Sequence, residues 1–154
     1  MTIIVTSRLR LKPSAMDMDS IRTMVKWLND PLVTRYSEQR HKIHSVETQL
    51  AYIKSFGPPN KFYEIRRAND LIGTLTAYID EENSVADVGI MIGIEYWENG
   101  FGFEAWEAFC DHLFAHDIRK IEVGALDINK GMVRIFGKYG MFMEGERLAH
   151  FQVD

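Results

Sequence analysis

Three strand-like runs, Lys61 to Arg67, Leu71 to Ile79 and Val85 to Gly93, are separated only by "RAND" and "DEENS". The runs are rich in β-branched and aromatic residues and the gaps in turn formers, so they read as strands joined by turns. A parallel crossover needs a dozen or more residues, which neither gap supplies. The centre of the chain is therefore an antiparallel meander, and the flanking segments must pack on it.

Upstream, "IIVTSRLRL" (residues 3–11) ends in the apolar–basic alternation of a half-buried strand. "PSAMDMDSIRTMVKWLND" follows as a helix, with Ser14 as its cap, Asp17 three residues on, and Met18, Ile21, Met24 or Val25 and Leu28 on one face. Asn29-Asp30-Pro31 ends it. The polar connection "VTRYSEQRHKIH" leads to a second helix, "SVETQLAYIKSF", stopped by Gly57-Pro58-Pro59. Downstream come a helix from Gly100 to His116, a strand "KIEVGALDI" (120–128), a helix "KGMVRIFGKY" (130–139) and a last strand "MFMEGERLAHFQV" (141–153). This order of strands and helices gives an α+β or α/β sandwich.

The 154 residues suit one domain, 1–154, with 46% hydrophobic and 26% charged residues and no internal linker. A net charge of −4 argues against nucleic acid as the main partner. Cys110, the single cysteine, cannot form an intramolecular disulfide, and it falls in the apolar stripe Trp106, Phe109, Cys110, Leu113, Phe114, which reads as a buried, inert thiol. No segment has the length of a spanning helix or the layout of a signal peptide, so a cytoplasmic protein without membrane contact is expected. His41 and His44 stand three apart, but His112, His116 and His150 bring no matching ligand spacing, and no metal is expected.

The stretch "EYWENGFGFEA" (95–105) places Gly100 and Gly102 between a strand and a helix. Two close glycines also suit a plain tight turn. At a strand-to-helix junction they further let backbone N–H groups approach an anion that the helix N-terminus attracts. No Gly-Lys-Ser/Thr follows, which excludes a Walker loop, and the third glycine of a dinucleotide fingerprint is missing. Any phosphate would be held by backbone, with no catalytic lysine behind it.

Trp97-Glu98-Asn99-Gly100-Phe101-Gly102, followed by Phe103-Glu104-Ala105, then Asn129 and later Lys138-Tyr139-Gly140-Met141 and Glu144-Gly145, resemble the two signatures of the GCN5-related N-acetyltransferases. The resemblance is to the RimJ/RimL-like branch and runs from "TSRLRL" onward. It implies a mixed, mostly antiparallel central sheet of about six or seven strands flanked by four helices and splayed at the two central strands. It also implies an acetyl-CoA-dependent N-acetyltransferase in which a primary amine attacks the thioester directly, in a ternary complex. The coenzyme's diphosphate would sit on Trp97 to Phe103, and its pantetheine arm would pair with the backbone of Met91, Ile92 and Gly93, where an N–H would polarise the thioester carbonyl. Asn129, Phe136 and Lys138 complete the coenzyme-binding positions implied.

By the same resemblance Asp87, which precedes Gly89 where relatives show Glu-x-Gly, is the first candidate base, and Glu38 the second. Many relatives carry a tyrosine as leaving-group acid at the position of Phe136, and others a serine at that of Met132; neither side chain here holds a proton to give. Tyr139 is the nearby alternative. Arg35, Tyr36, Glu38, Arg40 and His41 are candidates for the acceptor pocket, with arginines suited to carboxylates or phosphates. The resemblance implies an amino-sugar nucleotide, a protein N-terminus or another small amine as acceptor. The alternative function is an acyl-CoA-binding module that has lost catalysis. Relatives continue past the strand after Glu-Gly, whereas this sequence stops at Asp154; an exposed edge there would favour a homodimer.

Overall fold

The computed structural model describes residues 2–147. Strands β1 (Ile4–Val5), β2 (Arg10–Pro13), β3 (Lys61–Arg67), β4 (Asp70–Asp80), β5 (Val85–Ile92) and β6 (Lys120–Glu122) form one sheet in sequential order. Every neighbouring pair is antiparallel except β5 with β6, which is parallel. The helices are α1 (Met18–Leu28), α2 (Pro31–Thr34), α3 (Val46–Lys54), α4 (Phe101–Ala115) and α5 (Lys130–Tyr139). The mixed, mostly antiparallel six-stranded sheet matches the expected α+β architecture, with α2 as a short fifth helix.

The central meander forms as the turn signals dictate, and α5 has the expected bounds. Elsewhere the structure corrects the sequence reading. Residues 3–11 make two short strands, because the Thr6 hydroxyl accepts from the Leu9 N–H (2.9 Å) while the Thr6 N–H bonds the Leu9 carbonyl, which closes a turn inside the run. The cap of α1 is Asp17, whose carboxylate accepts from the Ser20 N–H at 3.1 Å. Such a cap contributes about 1 kcal/mol. Ser14 instead donates its hydroxyl to Glu64 at 2.9 Å. On α1 the buried face is Ser20, Ile21, Met24 and Trp27, leaving Met18 44% exposed.

Strand β6 stops at Glu122 rather than running to Ile128: among the described residues its ladder with β5 ends at Asp87–Glu122. Asn129, expected at a strand end, caps α5 by accepting from the Met132 N–H. Residues 141–147 carry no strand, and the rest of the last expected strand lies outside the described residues.

Two apolar layers sandwich the sheet. On one face α4 packs Trp106, Phe109, Cys110 and Leu113 against Leu11, Ile65, Leu75 and Val88. Phe114, expected in that stripe, is 43% exposed. On the other face α1 and α3 bring Ile21, Met24, Trp27 and Ile53 against Phe62 and Leu71. Alternation along β5 therefore sends Ala86 and Val88 to the α4 side and Asp87, Gly89 and Met91 to the α1–α3 side. Among the described residues no helix is long and apolar enough to cross a membrane.

Candidate active site

β5 and β6 pair in register as Val85 with Lys120, Ala86 with Ile121 and Asp87 with Glu122. Past Asp87 β6 ends while β5 continues to Ile92, so a gap opens with Asp87 and Glu122 at its vertex. Hydrogen-bonding direction alternates along an antiparallel strand. The Gly93 N–H donates to the Ile72 carbonyl on the β4 side (2.8 Å), so Met91 and Gly93 are turned towards β4. The backbone groups of Val88, Ile90 and Ile92 face the gap. The Trp97 indole N–H reaches the Ile92 carbonyl from the following loop, at 2.8 Å.

Beyond Gly93, a single 3-10 turn (Ile94–Tyr96) leads into the glycine stretch. Glu98 and Gly100 both adopt positive φ, +63° and +78°. Gly100 is the N-cap of α4 and supplies no side-chain cap, so the first-turn amides of Phe101, Gly102 and Phe103 have no acceptor within the helix. Uncapped amides at the positive end of a helix dipole suit an anion. Gly102 is small for a different reason: a Cβ there would stand 3.0 Å from the Ile135 methyl of α5. Gly93 likewise carries the Trp27 ring, which a Cβ would strike. The two glycines of the loop thus answer to backbone conformation and to close packing respectively.

Asn99, within the loop, donates its side-chain amide to the Trp97 carbonyl at 2.9 Å. From α5, Lys138 places its ammonium 4.2 Å from the Phe103 ring centroid, and Phe136 lies against Trp106 at 5.0 Å between centroids. Asn129 is committed to capping α5.

The titratable groups separate into distinct places. Asp87 is exposed at the vertex, and the partial desolvation of its carboxyl, followed by the Glu122 charge, raises its pKa. Tyr78 stands directly across β4 from it. Tyr78, Asp80, Asp87, Arg119, Lys120 and Glu122 line an open cavity of about 610 Å³, in which Lys120 reaches Glu122 at 3.7 Å and Glu144 at 2.8 Å. Tyr139, by contrast, donates its hydroxyl to Asp111 at 2.6 Å. The Tyr139 hydroxyl is thus engaged by a carboxylate of α4.

Arg35, Tyr36, Glu38, Arg40 and His41 lie in the connection between α1 and α3, where Ser37 caps a 3-10 turn (Glu38–His41). Asn29 ties this connection to the end of α1 by exchanging hydrogen bonds with His44, both 2.9 Å. Within it Arg35 stacks on the neighbouring Tyr36 ring at 5.0 Å, and Arg40 donates to His41 at 3.4 Å. Glu38 is exposed here, on a different element from Asp87. Cys110 is fully buried, and burial pushes its thiol up to about 12. Among the described residues no group of three or more His, Cys, Asp or Glu side chains could hold a metal ion.

Sequence reasoning missed Glu122, because only the parallel pairing with β5 brings it beside Asp87. It also missed Glu95, whose carboxylate accepts from the buried Trp27 indole at 3.2 Å just past β5. The pattern "TSR" held no sign of the contacts Thr6 and Arg8 make with Glu104, almost a hundred residues away.

Comparison with known proteins agrees with this geometry. The acetyltransferase (GNAT) domain family matches residues 8–142. A curated relative described as uncharacterized N-acetyltransferase p20, from Bacillus licheniformis, is 26% identical over 157 residues, covering 94% of this chain and 85% of that protein. The solved structure of RimL, a ribosomal L7/L12 alpha-N-protein acetyltransferase in complex with coenzyme A, superposes with a TM-score of 0.83 at 18% identity, covering 94% of this chain and 86% of its own. A spermidine N-acetyltransferase from Vibrio cholerae, in complex with CoA and spermine, gives 0.84 at 20% identity, covering 97% and 89%. With the family match spanning most of the sequence, the chain belongs to the GNAT acetyltransferases.

Proposed function

We propose that this protein moves an acetyl group from acetyl-CoA to a primary amine by direct attack in a ternary complex, with residues 1–154 acting as one cytoplasmic domain. The observation that carries the reading is the continuity of the gap: it begins at a carboxylate, Asp87, and leads along β5 to the uncapped amides of α4. From Asp87 to Gly93 the extended backbone spans about 20 Å.

The residues present fit the coenzyme. The amides of Phe101, Gly102 and Phe103 would receive the diphosphate, with Trp97, Glu98, Asn99 and Gly100 shaping the turn beneath it. The gap-facing backbone groups of Ile90 and Ile92 would pair with the amides of the pantetheine arm, as an added strand does. Met91 and Gly93 then support that edge from the β4 side instead of binding through their own amides. Bound there, acetyl-CoA supplies an electrophilic carbonyl and a thiolate leaving group. The Val88 or Ile90 N–H would polarise the carbonyl.

Asp87 would take the proton of the attacking ammonium, directly or through one water, and its raised pKa suits that task. Phe136 has no proton for the thiolate and Tyr139 is held on α4, so water protonates the leaving group. The cavity sets three carboxylates, Asp80, Asp87 and Glu122, against Arg119 and Lys120, and this small acidic excess favours a cationic acceptor, such as a small polyamine or a protein N-terminus, over an amino-sugar nucleotide. Arg35, Tyr36, Glu38, Arg40 and His41 would meet the part of the acceptor remote from the amine.

Release of free thiol from acetyl-CoA, followed with a polyamine, a peptide with a free N-terminus and an amino-sugar nucleotide, tests the reading. Turnover is expected with one of the first two. Tight acetyl-CoA binding with no thiol release for any amine would instead favour the inactive acyl-CoA-binding module.

A further inference from the structure

The glycine stretch has no lysine, yet a cation grips it from the opposite end of the chain. Arg8, in the turn between β1 and β2, donates Nε to Glu104 at 2.7 Å, its backbone N–H to the same carboxylate at 3.0 Å, and Nη1 to the Asn99 carbonyl at 3.0 Å. Its guanidinium also lies 4.4 Å from the centroid of the Phe101 ring, and Arg67 at the end of β3 lies 5.3 Å from that ring. Arg8 Nη2 overhangs Gly100, where a Cβ would stand 3.4 Å from it. Thr6, whose hydroxyl also accepts from Leu9 N–H, donates to Glu104 Oε2, the oxygen that accepts from the Arg8 N–H.

An exposed ion pair commonly contributes little. This one differs in geometry. The Glu104 side chain is only 17% exposed, and one planar fork spans a carboxylate on α4 and a main-chain carbonyl of the loop before it. Burial works against the Glu104 carboxylate, but the hydrogen bonds from Thr6 and Arg8 outweigh it and hold its pKa below the usual range. The contacts converge on Asn99, Gly100 and Phe101, where the chain enters the left-handed region and turns into α4.

We propose that Arg8, locked by Thr6 and Glu104, is a positioning residue that holds the Asn99–Phe101 turn in the shape that presents the α4 amides to the coenzyme's diphosphate. This rests on the coenzyme reading above. Pre-ordering a loop lowers the cost of binding, so the effect belongs to the part of the donor that the loop touches.

The test compares two acetyl donors, acetyl-CoA and S-acetylpantetheine, which lacks the diphosphate. In folded Arg8→Ala, KM for acetyl-CoA rises about tenfold, the worth of a charge-assisted hydrogen bond, with kcat little changed. Its kcat/KM for S-acetylpantetheine stays within about twofold of wild type. Arg8→Lys, which keeps the charge but not the fork, shows a smaller loss in the same direction. Glu104→Gln gives the same donor-selective loss if Arg8→Ala does not fold. Equal losses on both donors, or an acetyl-CoA KM unchanged in a folded variant, would overturn the assignment. Absence of acetyl-CoA binding to the wild type would refute the coenzyme reading itself, a separate result.

Discussion

Asp87 is pressed from two sides, by the partial desolvation of its carboxyl and by the Glu122 charge, and both raise its pKa. As general base it must be ionised, so the acid limb of kcat/KM against pH lies above the ordinary aspartate range. Glu122→Gln removes one of the two pressures, and the limb moves to lower pH; a limb that stays put would mean that another group titrates. Asp87→Asn lowers kcat about a hundredfold or more while leaving the KM for acetyl-CoA nearly unchanged. The stability effect has the opposite sign. A folded-state pKa raised above the unfolded one means that stability is lost as pH rises through that window, and the loss persists above it. Asp87→Asn therefore melts at or above the wild-type temperature at pH 7, and the difference shrinks as pH falls below the unfolded aspartate value. Asp87 was singled out in the sequence only through the family resemblance, by its place before Gly89 where relatives show Glu-x-Gly. Glu122 was not, since nothing local in "KIEVGALDI" encodes a parallel neighbour. The contact of the Tyr139 hydroxyl with Asp111 was not legible either, since sequence proximity to Phe136 says little about direction on a helix.

Helix α1 is fixed to the sheet by more than its apolar face. Glu64, fully buried on β3, accepts from Arg66 Nε at 3.0 Å and Nη2 at 2.7 Å, and Arg66 Nη2 also donates to Ser20 of α1 at 2.6 Å. Removing the cation leaves a buried carboxylate unpaired, so Arg66→Ala should cost about 3–5 kcal/mol, read by denaturant unfolding. A loss below about 1 kcal/mol would show that Glu64 is satisfied without its partner. Ser14 and Asp17 belong to the same cluster, which explains the mistaken cap: the sequence offers two capping side chains three residues apart, and the buried Glu64 claims one of them. Elements whose limits are set locally, the three meander strands and α5, were readable from turn and capping residues. Strand β6 was read too long because its length is set by how far β5 stays beside it.

At the scale of the whole molecule, β5 has no strand partner among the described residues on its β6 side between the vertex at Asp87 and the start of α4. The order of meander, glycine loop and helix made the family resemblance visible in the sequence. The clamp from Thr6 and Arg8 to Glu104 did not show, because it joins segments more than ninety residues apart. The central claim is that the gap and the Gly100–Gly102 turn form one coenzyme site. Calorimetric titration of acetyl-CoA into the wild type and into a Gly100→Val, Gly102→Val double variant, its fold verified by circular dichroism, tests it most directly. The left-handed φ of Gly100 and the contact of Gly102 with Ile135 predict that the wild type binds and the folded variant does not. A folded wild type that binds no acetyl-CoA, or a folded variant that binds it equally well, would contradict the account.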